Sequence, residues 1–179
     1  MSLSEGAATI EGVRSHRGRV ASGGFASGPI VRLERATPVE PAKTAGTPAV
    51  ERARLAAALV KARDELADLV AGTSGEAADI LAFQLALAED DALSEPAFAA
   101  IAGGQAAAVA WQAAVGTLIA DYATASEEYF RARAADLRDL EARVVDALAG
   151  TKARPTLPEH AIVVADDLAP SLFLSLAWD

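Results

Sequence analysis

Residues 127–150 read EEYFRARAADLRDLEARVVDALAG. Phe130, Ala134, Leu137, Leu140, Val144 and Leu148 recur at three- and four-residue intervals, which places them on one face of a helix, and Gly150 is a natural stop. Working back towards the amino terminus, Trp111, Val115, Leu118 and Tyr122 form the stripe of another long helix. Gly103-Gly104 ends a short helical piece in which Pro96 is expected in the first turn, where a missing N–H costs nothing. Ser74 is placed to cap a further helix, with Glu76 near its positive end. Before that, Thr47-Pro48 offers an N-cap followed by a first-position proline, and Leu55, Leu59, Ala62, Leu66 and Leu69 follow at helical spacing up to Gly72. Four substantial helices with short connections predict an up-and-down bundle over residues 47–150.

The flanks have a different character. Pro29-Ile30-Val31 with Leu33 reads as a short strand behind the glycine-rich turn Ser22–Gly28. That turn carries neither phosphate-loop pattern, so it reads as a strand-flanking bend. Residues 36–46 hold two prolines and no period, as a linker would, and residues 1–17 read as a disordered leader or linker. Beyond Pro155 and Pro158, the β-branched run from His160 to Ala165 reads as a second strand. A helix then begins at Pro170 and runs into the apolar tail Leu172, Phe173, Leu174, Leu176 and Trp178. Residues 18–35 and 151–179 therefore form an incomplete α/β unit around a mainly α middle, because two strands and part of a helix cannot bury their apolar faces alone. The bare tail offers a surface for self-association as a homodimer.

Composition narrows the function. The 179 residues are 52% hydrophobic but only 5% aromatic, which suits close helix packing through alanine. A formal net charge of −9 opposes a nucleic-acid or anionic-membrane surface and suits a basic protein partner. The absence of cysteine removes thiolate and disulfide chemistry, and two histidines make a histidine metal site improbable. No apolar run is long enough to span a bilayer and no signal peptide opens the chain, so a cytoplasmic location is expected.

Few residues carry a chemical signature. His160 has no activating neighbour in sequence and reads as a strand-flanking residue; His16 lies in the polar leader. Glu89-Asp90-Asp91 are three consecutive carboxylates that cannot all face one cation, so they read as a solvated helix end. The Arg133/Asp136 spacing reads as a surface ion pair. The helix after Ser74 is the informative one. Ile80, Phe83 and Leu87 make one apolar stripe, and Leu81, Leu85 and Ala88 make another. An outer helix needs only one, so the second is either buried by a neighbour or left for a partner.

Tyr129-Phe130-x-x-Arg133-Ala-Ala135-Asp136-Leu137-x-Asp139-Leu140-x-x-Arg143 resembles the EYxxERAADxxDIxxR segment of enzyme I of the bacterial phosphotransferase system. Ala21–Pro29 resembles that family's ASPGxAxGP turn, with Gly23 in place of its proline. Ile80–Asp91 resembles IFxxHxxLLEDxE, with Gln84 in place of His, and Ile162–Pro170 resembles VILVAxDLTPS. The resemblance implies a four-helix hairpin bundle inserted into an incomplete α/β swivelling phosphohistidine domain. It also implies a parent phosphotransferase that passes phosphate from phosphoenolpyruvate through a histidine to the phosphocarrier HPr. By the same motifs, Ile80, Phe83, Gln84, Leu87, Tyr129 and Arg133 would form the HPr-docking face. The family's phosphohistidine lies in a GGxTSHxAI loop beyond the segment matched here, and its magnesium- and phosphoenolpyruvate-binding barrel lies further downstream. No catalytic, cofactor or metal residue is therefore expected in this chain. The alternative is a non-enzymatic interaction or regulatory module on the same scaffold.

Overall fold

The computed structural model describes residues 19–33, 46–150, 157–165, 168 and 170–176, without the side chains of residues 128–130, 132 and 170. The leader, most of the linker and Trp178 fall outside these residues.

Each helix begins and ends for a local reason. α1 (Pro48–Ala71) starts where Thr47 Oγ1 accepts from the Val50 N–H at 3.4 Å, with Pro48 in the first turn. α2 (Glu76–Glu89) departs from expectation. Its N-cap is Gly75, which has no side chain to offer, and Ser74 does not cap it. α3 (Asp91–Ala102) begins a turn earlier than its proline suggests. Asp90 accepts from the Ala92 N–H at 2.9 Å, so Pro96 sits inside the helix. The N-cap explains one member of the acidic trio, since a carboxylate there satisfies a free N–H and faces the positive helix end. α4 (Ala107–Ala123) has no side-chain cap from its own flank. α5 (Glu128–Ala149) ends at Gly150 in the left-handed conformation, φ 68°, where a residue lacking Cβ is unstrained.

The core lies among these five helices. Leu55, Leu59, Ala62 and Leu66 of α1 are buried as their spacing predicts, as are Ala134, Leu137, Leu140 and Val144 of α5. α4 buries Trp111, Val115 and Ile119. Leu118 and Tyr122, expected in that stripe, are only partly buried, because a four-residue step carries the buried line to Ile119. Alanines 58, 62, 88, 97, 107, 110 and 134 are also buried, so helix axes approach closely where side chains are small. Trp111 is fully buried and its Nε1 donates to the Glu141 carbonyl at 3.3 Å, which keeps its one polar atom satisfied.

The two flanking strands find each other. β1 (Ile30–Leu33) pairs in parallel with β2 (Ile162–Ala165), with Ile30 opposite Ile162 and Leu33 opposite Ala165. α1–α5 all lie in sequence between them. β2 starts later than the β-branched run suggests, because His160 has a positive φ of 57° and belongs to the turn before the strand. Gly28 explains how the strands begin side by side. A Cβ there would strike the His160 carbonyl oxygen, so only glycine permits the approach. Ile30 remains 73% exposed and Val164 47% exposed, as a two-stranded sheet alone must leave them. α6 (Pro170–Ser175) packs on α1 and α2, with Ser171 and Leu176 buried.

Candidate partner-docking face

The two apolar stripes of α2 have separate fates. Leu81 and Ala88 are buried and Leu85 partly so, and α1 is the main neighbour of this helix. Ile80, Phe83 and Leu87 are all only partly buried, forming an apolar strip that solvent still reaches, and Leu87, like Leu85, also packs against the core. α5 supplies its roof. The Arg133 guanidinium lies 4.3 Å from the Phe83 ring centroid, and its Nη1 donates to Asp136 Oδ2 at 2.9 Å. A cation over an aromatic face is attracted by the ring quadrupole, and the Asp136 carboxylate anchors the guanidinium through Nη1.

This arrangement corrects two sequence readings. Arg133 and Asp136 are not a loose surface pair. Asp136 is only 8% exposed and the Arg133 side chain is mostly covered, which ties the pair to α2. Gln84 is not part of the exposed face either. Its side chain is fully buried and its Nε2 donates to Asp139 Oδ2 at 3.0 Å, because one residue beyond Phe83 the helix has turned inward towards α5. Asp136 and Asp139 were legible only as charged residues on an amphipathic helix; their inward direction depends on where α2 lies. The Tyr129 side chain lies outside the described residues.

A second polar centre ties together the start of α1, the start of α4 and the end of α5. Glu51 is 2% exposed. Its Oε2 accepts from the Ala107 N–H at 2.8 Å, supplying the cap that α4 lacks, and its Oε1 accepts from the Gly46 N–H at 3.1 Å. Arg54 donates to both carboxylate oxygens, at 3.0 and 3.2 Å, and reaches the Leu148 carbonyl at 3.4 Å. The Ala107 N–H does most to hold the Glu51 carboxyl below its ordinary pKa, outweighing the opposing effect of burial, with Gly46 and Arg54 adding to it. Glu141 is shifted the other way by burial, against the lowering effect of Arg138.

Among the described residues no three His, Cys, Asp or Glu side chains converge to hold a metal ion, and no helix is long and apolar enough to cross a membrane. His160 is exposed, and its Nε2 lies 3.9 Å from Glu159 Oε1.

Residues 17–133 match the family described as PEP-utilising enzyme, N-terminal. The chain is 32% identical over 161 residues to a phosphoenolpyruvate-protein phosphotransferase of Geobacillus stearothermophilus, covering 86% of this chain and 28% of that protein. It is also 32% identical over 137 residues to a protein of Escherichia coli K12 described as phosphoenolpyruvate-dependent phosphotransferase system, covering 74% of this chain and 18% of that one. Among solved structures, the N-terminal domain of a nitrogen-type enzyme I aligns with a TM-score of 0.64 at 29% identity, over 82% of this chain and 63% of that one. An enzyme I solution structure aligns with a TM-score of 0.62 at 27% identity, over 73% and 55% of the two chains. The chain thus spans under a third of the length of the two phosphotransferase relatives, and under two thirds of each of the two solved chains. On its sequence match and its mainly helical fold, it belongs to the PEP-utilising enzyme N-terminal family, as an enzyme I-type N-terminal domain of the phosphotransferase system.

Proposed function

We propose that this chain is the part of a phosphoenolpyruvate-dependent phosphotransferase that docks an HPr-type histidine phosphocarrier. The observation that carries the reading is the half-buried strip Ile80, Phe83 and Leu87 on α2, roofed by Arg133 from α5. A strip of this kind offers an apolar centre with a polar rim, which is the anatomy of a transient protein interface. The exposed carboxylates Glu76, Asp79, Glu89 and Asp90 on and beside the same helix, within a chain of net charge −9, suit a basic partner and would steer its approach.

In this reading the parent protein takes phosphate from phosphoenolpyruvate onto a histidine and passes it to the docked carrier. Neither His16 nor His160 is assigned that role. Magnesium and phosphoenolpyruvate belong to the parent's barrel, and no residue described here is assigned to them. The work of this chain is to bind and orient the carrier. Titration of isotope-labelled HPr with the chain, followed by NMR, tests the reading. Shifts clustered around the carrier's active-site histidine are expected, and a flat titration against a folded chain would overturn it.

A further inference from the structure

Phe83 and Gln84 are neighbours in sequence but leave α2 about 100° apart, as successive helical residues must. Phe83 reaches the surface beneath Arg133, whereas Gln84 points inward and is fully buried. Their partners on α5 are Arg133 with Asp136 in one case and Asp139 in the other. Asp136 and Asp139 are three residues apart, so they lie on adjoining turns of one face of α5. Two polar rungs therefore join α2 to α5. One, Phe83–Arg133–Asp136, includes the exposed strip; the other, Gln84–Asp139, lies beneath it, with Gln84 fully buried and Asp139 partly so.

We propose that Gln84 is a positioning residue for the docking face. By holding Asp139 it fixes the rotation of α2 against α5, and so seats the Phe83 ring under Arg133 before any partner arrives. The proposal rests on the docking reading above. The apolar stripe of α2 packs chiefly on α1, and such contacts tolerate a small roll or slide. A hydrogen bond to a carboxylate is directional and does not. Gln84 is also an inefficient way to stabilise a core, because its Oε1 is buried with no hydrogen-bond partner among the described residues. A half-satisfied buried amide contributes little net stability, and its value lies in fixing one arrangement over its neighbours. A preformed platform binds more tightly because less is left to order on binding.

The test is Gln84→Met, which removes the amide at similar volume, with Gln84→His as a variant that can still donate to Asp139. The expected result for Gln84→Met is five- to tenfold weaker binding of HPr and an unfolding midpoint within about 2 °C of the parent. Its Phe83 ring resonances should also move, because the ring leaves Arg133. Gln84→His is expected to restore both the affinity and the ring shifts. Unchanged affinity with unmoved Phe83 resonances would overturn the positioning role. So would an affinity loss that matches only the fraction unfolded. If Gln84→Met binds normally while Leu87→Asp does not, the docking reading stands and this inference alone falls. If the parent chain itself binds no HPr, the docking reading falls, and this role of Gln84 in docking falls with it.

Discussion

The Glu51 carboxylate and the Ala107 N–H meet at 2.8 Å, so a side chain of α1 caps the start of α4. Ala106 has no side-chain oxygen to do this, and without Glu51 the first N–H of α4 would be buried unpaired. The same carboxylate holds Gly46, where the chain approaches α1, and its partner Arg54 reaches Leu148 near the end of α5. One ion pair thus fastens the beginning and end of the helical segment to the corner between α3 and α4.

Glu51→Ala is expected to destabilise the helices by roughly 3 kcal/mol, since it orphans the Ala107 and Gly46 N–H groups together. Urea unfolding followed at 222 nm measures this, and a loss under 1 kcal/mol would show that the clasp is incidental.

The depressed pKa of Glu51 fixes a pH dependence. Its contribution is fully present above the unfolded carboxylate value of about 4.3 and is lost as pH falls through the lower folded value. Glu141, shifted upward, acts in the opposite direction and is common to parent and variant. Glu51→Gln should therefore lose less stability than the parent between about pH 5 and pH 3. Parallel stability curves would contradict the assignment.

Gly28→Ala should separate the two strands while sparing the helices, because the new methyl meets the His160 backbone, which cannot swing aside. The Ile162 N–H, now bonded to the Pro29 carbonyl at 2.8 Å, should lose its hydrogen-exchange protection while helical ellipticity is retained.

Leu87→Asp places a charge in the half-buried strip of α2 and should weaken HPr binding at least tenfold without altering helicity. Arg133→Met removes the cation from the Phe83 ring and should cost about fivefold. Calorimetry on both variants decides whether the strip is the contact surface, and unchanged affinity in both would exclude it.

Asp90→Ala removes the side-chain cap of α3 and should cost about 1 kcal/mol by thermal unfolding. The exposed neighbour Asp91 serves as the control, since its replacement should cost little.

Much of this was legible in the residue pattern. The apolar spacing of α1 and α5 named their buried faces, Thr47-Pro48 and Gly150 marked their ends, and the β-branched runs marked both strands. The misreadings have a common form. Ser74 looked like a cap, yet the turn placed Gly75 at that position. Pro96 looked like a helix start, yet a cap at Asp90 began α3 earlier. Arg133 and Asp136 looked like a solvated pair, yet Arg133 lies on Phe83 of α2 and Asp136 is buried, and Gln84 looked exposed until α5 stood in front of it.

Period, capping chemistry and charge are local properties. The sequence by itself therefore determined a mainly helical chain with a strand on each side, and an α2 with one apolar stripe more than an outer helix needs. The tertiary structure decided which stripe stayed half-open, that the strands pair in parallel, and that Glu51 caps a helix far along the chain. Those outcomes depend on which elements become neighbours. Packing settles that through contacts between residues distant in sequence, and no local spacing encodes it.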